Sequence, residues 1–380
     1  MTEKYPRVRF NGRPTNTSGY GRATSSFCAA FSESNIDTNF ERLKSIPKNL
    51  NLSSYSGLHD IDFSIRMPRF KAKSADCRYR IGYFYWETDS IPLSWAEDIR
   101  KNVDELWVPC NLVKDACVKA GFRGPIEIVP TPLAHNADHL PVGVPSYASS
   151  DRILSEDTFK FYSIFQWNQR KGYETLLLSY FEEFSKNENV VLILKVNPID
   201  HKFHGLSRIK KDITKAKRLT KRRASALPRV FLCTEYLDDE HINGLHRECD
   251  AFVLPHRGEG WGMPIHSAMM NESLVITTKY GGITEFLGEE TALIIDHKIA
   301  PARKMSWTNL YSDTQNCAYP NGEHLKKLMR ASFAGNRLFS DKVANAKCLA
   351  EDFSINNCID TIESILGQKR FRRFVRETNK

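Results

Sequence analysis

The sequence predicts an α/β chain of two doubly wound, Rossmann-like domains, and three observations carry that expectation. Short apolar, β-branched or aromatic runs alternate with amphipathic helical segments along nearly all of it. Strands that are apolar throughout, rather than on alternate residues, belong to parallel sheets covered on both faces. The alternation lapses once, across Leu140 to Thr158, where Pro, Ser and small residues gather as they do in linkers. At 380 residues, the chain is also long enough for two cores of ordinary size. The expected boundaries are 1–150 for an N-terminal domain and 151–349 for a C-terminal one, with a closing helix at about 350–380 packing back on the first. Ligands of such sheets lie beyond the carboxyl ends of the strands, so two of them facing one another share a cleft.

Along the chain, a strand around Val8 to Phe10 leads into "TNTSGYGRA", a glycine-bearing turn at a helix start. "RYRIGYFYW" reads as a buried strand ending at Trp86, Glu87, Thr88 and Asp89, and "ELWVPC" and "IEIVPT" as the strands that complete the first sheet. After the linker, "FKFYSIF" runs into "QWNQRKG". There "GYETLLLSYFEEFSK" begins a helix, with Tyr173, Leu176, Leu177, Tyr180, Phe181 and Phe184 recurring at helical spacing. "VVLILKV", "RVFLCTEYL", "DAFVLP" and "LVITT" are the remaining strands, and the last two open into "RGEGWGMPIHSAMM" and "KYGGITEF".

Three of these strand-to-helix loops have chemistry in them. In the first, Gly19 and Gly21 flank Tyr20 where backbone can approach a ligand and free N–H groups face an anion. In the second, Arg170 and Lys171 precede a helix whose macrodipole already places positive charge there, so an anion such as a pyrophosphate is needed to reconcile them. In the third, Glu259 stands among Gly258, Gly260 and Gly262, a poor place for a merely structural carboxylate. Trp261 reads as an apolar wall, the amides near Gly262 and Met263 as phosphate donors, and Glu259 as an acceptor for sugar hydroxyls. Two cations for a diphosphate and an acid for a sugar describe a nucleotide-diphosphate sugar. The bland alternatives are a plain turn, a solvated cation pair and a carboxylate compensating a helix N-terminus.

Composition narrows the class. No run is long and apolar enough for a membrane span, and the N-terminus lacks the apolar core of a signal peptide. Nine cysteines without any Cys-x-x-Cys pair predict a cytoplasmic, reduced chain, and His135/His139 and His201/His204, unaccompanied by cysteines, predict no metal site. The net charge of +9 is unevenly placed. Lys202 to Arg229 holds eleven Lys/Arg against Asp212 alone, and Lys369 to Lys380 holds six against Glu377. The readings of these segments are a packed helix with a solvated outer face, and an anionic partner, membrane surface or nucleic acid, at one or both. Leu206, Ile209, Ile213, Ala216 and Leu219 make a helical stripe within the first segment, and Phe371 and Phe374 stand among the arginines of the second.

"RGEGWGMPIHSAMM…VITTKYGGITEFL", with "FQWNQRKGYETLL" before it and "SGYGRA" near the start, resembles the large group of retaining glycosyltransferases with the GT-B fold, the family 4-like glycosyl transferases of group 1. The resemblance is strongest from Phe161 to Leu287. It implies that Arg170 and Lys171 bind the donor diphosphate and neutralise charge on it during transfer. It implies further that Glu259 holds the donor sugar, that Gly262 and Met263 present amides to sugar and phosphate, and that Gly19 lines the diphosphate from the N-terminal side. Tyr20, Gly21, Gly260 and Trp261 belong to the same expected donor site. The family repeats glutamate eight positions after the first, for the nucleotide ribose. This chain has Ser267 there, a shorter, neutral partner, with His266 or Glu272 as candidate substitutes.

The resemblance implies a hexosyl- or pentosyltransferase reaction with retention, no cofactor beyond the nucleotide-sugar co-substrate, and no metal. Asp60 and Asp62 in "HDIDFSI" read as structural. On the acceptor side Trp86, Glu87 and Asp89, with Trp95 nearby, suit a hydroxyl-bearing molecule, and Glu87 reads equally as a group that orients or deprotonates it and as a cap or buried hydrogen-bond partner. The acceptor classes that fit the basic segments are a glycan or glycolipid and a polyanion such as hydroxymethylated DNA. The competing reading is a catalytically impaired relative that binds a nucleotide or a glycan.

Overall fold

The computed structural model describes residues 5–15, 18–40, 43, 59–70, 72–73, 77–133, 157–198, 204–306 and 309–374. Two compact units emerge, Met1–His135 with Asp352–Lys380, and Asn136–Glu351. The expected linker, Leu140 to Thr158, lies outside the described residues except for its last two.

The first unit runs through β1 (Val8–Asn11), α1 (Gly19–Glu33), β2 (Thr38–Asn39), β3 (Ile61–Ile65), β4 (Tyr79–Tyr83), α2 (Leu93–Asn102), β5 (Glu105–Val108), α3 (Asn111–Lys119) and β6 (Ile126–Ile128). The strands form one parallel sheet in the order β2-β1-β3-β4-β5-β6. Its core is aromatic, with Phe10, Phe27, Phe31, Phe63, Tyr83 and Trp107 closely packed. Asp62, on central strand β3, accepts two hydrogen bonds from Arg9 at 2.5 and 2.8 Å and lies 3.2 Å from His59. A charge buried between strands has to be paired, which makes this aspartate a structural one. β4 stops three residues short of Trp86, so the segment carrying Trp86 to Asp89 is a loop.

The second unit runs through β7 (Phe159–Trp167), α4 (Tyr173–Glu183), β8 (Val190–Pro198), α5 (His204–Leu219), β9 (Arg229–Cys233), α6 (Asp239–Glu248), β10 (Ala251–Leu254), α7 (Met263–Met270), β11 (Leu274–Thr278) and β12 (Leu293–Ile295). A hairpin of β13 (His297–Pro301) and β14 (Asn316–Pro320), then α8 (Gly322–Gly335) and α9 (Ser340–Glu351), complete it. The sheet is parallel, in the order β12-β11-β10-β7-β8-β9. Counted from β7 this is the order 3-2-1-4-5-6 of dinucleotide-binding sheets, which reverses direction between β7 and β10. β8 is buried from Val190 to Val196, as its unbroken apolar run predicts.

After α9 the chain returns to the first unit as α10 (Ile355–Leu366), N-capped by Ser354, with Ile362, Ile365 and Leu366 in the core beside α1. Tyr5 donates to Glu363 at 3.1 Å, and Glu363 accepts from the Asn35 backbone at 2.7 Å. The arginine-rich tail corrects an expectation. Phe371 and Phe374 are buried against Tyr79, and Arg370 is held between Glu105 and Glu127, so these aromatics serve the core and are not available to a membrane. Residues 375–380 lie outside the described ones. Among the described residues no helix is long and apolar enough to cross a membrane.

Candidate functional site

The reversal between β7 and β10 puts two of the singled-out loops side by side. From β7 the chain enters the 3-10 turn Gln169–Lys171 and then α4; from β10 it enters the loop 255–262 and then α7. The two loops are stitched together: Arg257 N–H donates to the Arg170 carbonyl at 2.6 Å, and the Arg170 guanidinium donates to the Gly258 carbonyl at 2.7 Å. Gly172 makes this approach possible. Its φ of +68° is left-handed, and a Cβ there would stand 1.7 Å from the Pro255 carbonyl oxygen. The third loop, after β11, joins through a bridge between Glu259 and Gly281 and a 2.7 Å hydrogen bond from Gly282 N–H to the Glu259 carbonyl.

Within this frame Lys171 Nζ forms an ion pair with Glu259 Oε1, and Arg170 reaches Glu259 Oε2 at 3.3 Å. All three side chains are about nine-tenths buried. Burial alone would raise the Glu259 carboxyl, but the attraction of Lys171 and Arg170 outweighs it and holds the group down at about 2. The two cations for which the sequence predicts an anion therefore have one inside the chain. Beside them begins α7, whose N-cap is Gly262 in a left-handed conformation, with no side-chain cap and no acid in its first turn. Uncapped N–H groups next to two cations make a site for anionic oxygens.

A group that the sequence reading passed over is His256. It is fully buried, and neither ring nitrogen has a hydrogen-bond partner among the described residues. Burial, reinforced by Lys171 and Arg170 and opposed by Glu259, pushes its imidazole down to about 3. Asn168 Oδ1 at the end of β7 and Thr278 Oγ1 at the end of β11 are likewise buried and unpartnered. Each such atom costs about 1–3 kcal/mol, and their gathering at three adjacent strand ends marks a place kept for something other than stability. The one available signal was position: a histidine two residues after a wholly apolar strand and three residues before Glu259.

His246, packed under the same sheet, is also held down to about 3 by burial. An unfolded imidazole takes its proton near pH 6.5, whereas these two refuse it until about 3. Their stabilisation is complete above pH 6.5 and declines as pH falls toward 3. Glu259, held at about 2, adds a second loss between pH 4.5 and 2. Urea midpoints measured from pH 7.5 down to 4 are expected to fall steadily, with a shallower fall in His256→Leu. An unchanged slope in that variant would mean that His256 carries no share.

Other expected residues take different places. Trp261 is 2% exposed and packs on Phe286 at 4.9 Å and on His266, so it supports the loop from within and offers no wall to a ligand. His266 meets the Ala350 carbonyl at 2.8 Å, and exposed Glu272 pairs with Lys347, so both candidate substitutes have partners of their own. Ser267 is half-buried, one turn along α7 from half-buried Met263 and on the same face. Gly260 lies in the turn between Glu259 and Gly262, against Gly282.

In the first unit the turn before α1 follows β1, where that sheet reverses between β1 and β3. Ser18 caps α1 by accepting from Gly21 N–H at 3.1 Å. Gly21 is explained by packing, since a Cβ would fall 2.0 Å from a Thr15 methyl carbon, while Gly19 has open space around it. Tyr20 meets Tyr85 edge to face at 5.2 Å. Trp86 is buried against Trp95 with its indole N–H on the Ser90 carbonyl, which corrects its expected place on an acceptor surface. Glu87 is half-buried beside it, and Asp89 lies 3.6 Å from Lys119. Among the described residues no group of three or more His, Cys, Asp or Glu is arranged to hold a metal ion, and the side chains of His135, His139, His201 and His204 are not among those described.

The family model of glycosyl transferases group 1 matches residues 188–308, from β8 through β13 and across the Glu259 loop. No curated protein matches the chain significantly in sequence. Among solved structures, Anabaena HepE in complex with UDP and glucose superposes with a TM-score of 0.64 at 12% identity, over 95% of this chain and 99% of that one. Sucrose-phosphate synthase from Thermosynechococcus elongatus gives 0.60 at 12% identity, over 95% and 98%. A single-residue mutant of TarM from S. aureus gives 0.55 at 13% identity, over 81% of this chain and 55% of that one. The fold is therefore GT-B, and the segment 188–308 that carries Glu259 matches the family model of the glycosyl transferases of group 1.

Proposed function

We propose that the chain moves a sugar from a nucleoside-diphosphate sugar to an acceptor hydroxyl, with retention of configuration and without a metal. The observation that carries this reading is the buried Arg170, Lys171 and Glu259 cluster beside the uncapped start of α7, at the point where the sheet order reverses. Arg170, Lys171 and the amides of Gly262 and Met263 receive the diphosphate, and Glu259 exchanges its cations for sugar hydroxyls. HepE, which shares the fold, has been captured with UDP and with UDP-glucose, and that favours a uridine nucleotide as the first donor to try.

In transfer with retention, the bond from the anomeric carbon to the diphosphate breaks as a bond to the acceptor oxygen forms on the same face, and the departing phosphate takes the acceptor proton. The protein's task is then to stabilise charge on that phosphate with groups already in place. Glu87 is assigned to orienting the acceptor hydroxyl, with Asp89 beside it. Calorimetry with UDP, GDP, ADP and their sugar conjugates tests the donor half: one nucleotide binds, and its conjugate binds more tightly than the nucleotide alone.

The second reading, a binding protein with impaired catalysis, draws on Ser267, a shorter and neutral group, and is supported by the partners that His266 and Glu272 already have. Ser267→Glu is expected to tighten binding of the bare nucleotide by about tenfold, the worth of one charge-assisted hydrogen bond to a ribose hydroxyl. Calorimetry showing no gain would remove Ser267 from the ribose site. No binding of any nucleotide at millimolar concentration would move the impaired relative to the front.

A further inference from the structure

Away from the Glu259 site, charge of one sign gathers on α5 and on the segment that leads from it to the edge strand β9. Lys210, Lys211, Lys215, Arg218, Lys221 and Arg223 are exposed, and none has a carboxylate partner among the described residues. The fold employs two neighbouring cations for itself: Lys217 lies over the Phe181 ring, and Arg222 donates to the Phe181 and Phe184 carbonyls. Asp212 is the one acid from 205 to 230, and it accepts the Trp167 indole N–H at 2.9 Å. The acids Glu235, Asp238, Asp239 and Glu240 stand at the far end of β9.

Lys211, Lys215 and Arg218 fall on one stripe, rising roughly 6 and 4.5 Å along the axis. Lys221 continues it with a φ of +57°, a left-handed helix end that glycine would occupy at less cost. The apolar side of α5 is not free for a bilayer, because Ile209 and Ala216 are buried in the fold. Exposed Leu206 and Leu219 sit at opposite ends of the helix, roughly 20 Å apart, and make no patch that could insert. What remains on the outside is dense positive charge, suited to an equally dense and hydrophilic polyanion.

We propose that α5 and the α5–β9 segment form a docking surface for a nucleic-acid duplex, gripped through its phosphates without base readout. A duplex carries one charge per roughly 1.7 Å of its length, and α5, roughly 24 Å long, spans about seven base pairs. None of these residues belongs to the Glu259 cluster, so the outcome is independent of the donor reading.

The test is anisotropy of a labelled duplex of about 20 base pairs with the full chain, between about 50 and 200 mM salt. Six neutralised phosphates give a log–log salt slope of about −5. K211Q/K215Q/R218Q is expected to weaken binding by at least about tenfold and to flatten the slope by about 3, with the thermal midpoint unchanged. Lys221→Gly relieves the left-handed backbone, so the midpoint holds or rises while duplex affinity falls, a pairing that a purely structural lysine would not give. Absence of duplex binding at about 50 mM salt, or binding indifferent to the triple substitution, overturns the proposal. So does tighter binding, at the same salt, to phosphatidylserine vesicles or to a sulfated oligosaccharide.

Discussion

Lys171→Met is expected to lower donor turnover, read as consumption of the nucleotide sugar, by roughly 100- to 1000-fold. Such a loss follows when a preorganised charge aimed at a developing oxyanion is removed from a water-poor site. The substitution also strips Glu259 of its nearest partner, and breaking a buried pair from one side costs about 3–5 kcal/mol. Arg170, 3.3 Å from the same carboxylate, takes up part of that loss. A fall in turnover alone would not separate lost chemistry from lost folding, so turnover is measured per folded molecule, well below the variant's own unfolding midpoint. The stability effect is read separately in Lys171→Met/Glu259→Gln: with no buried carboxylate left facing the new methionine side chain, urea unfolding is expected to recover much of the lost stability. Turnover of that double variant does not bear on Lys171, because Glu259 is itself part of the donor site. Near-normal turnover per folded molecule in the single variant would make Lys171 a structural partner of Glu259 and remove it from the reaction.

The residues of this cluster were legible because their composition clashes with their setting. Glu259 among glycines, and Arg170 with Lys171 ahead of a helix, are each poor choices for stability, and a local misfit can be read from a local stretch. Their union was not legible. Lys171 and Glu259 are 88 residues apart, and nothing in either segment says that β7 lies beside β10. Once strand order is known, the anion expected from outside proves to be a side chain of the same unit. The aromatics were misread for a related reason. Trp86, Trp261, Phe371 and Phe374 were placed by their neighbours in sequence, charged or polar, whereas burial is decided by what packs across the sheet. His256 was overlooked because a lone histidine after a strand carries no sequence mark of lacking partners. The strands themselves were the easiest part, since an apolar run covered on both faces needs no long-range information to be recognised.

That Glu259 neutralises Lys171 and Arg170 gives its removal a sign that a plain sugar-binding residue would not have. A diphosphate entering the site competes with the resident carboxylate for both cations. In Glu259→Gln the cations are released, so UDP alone is expected to bind about tenfold more tightly, ~1.4 kcal/mol. The sugar conjugate loses the hydroxyl partner that only the carboxylate supplies, so its advantage over UDP shrinks or vanishes. Turnover falls with it, by roughly 100-fold or more, because tighter ground-state binding of the leaving group does nothing for the transition state. Without ligand, two buried cations stand unpaired and the variant melts below wild type; with saturating UDP the gap narrows, since ligand stabilises in proportion to its affinity. The acid limb also changes. The stability that wild type loses between pH 4.5 and 2 as Glu259 takes up its proton is absent from the variant at every pH. If UDP binds the variant no better than wild type and the conjugate keeps its advantage, the carboxylate does not face the ligand. The Lys171–Glu259 pair would then be a structural clasp between two loops.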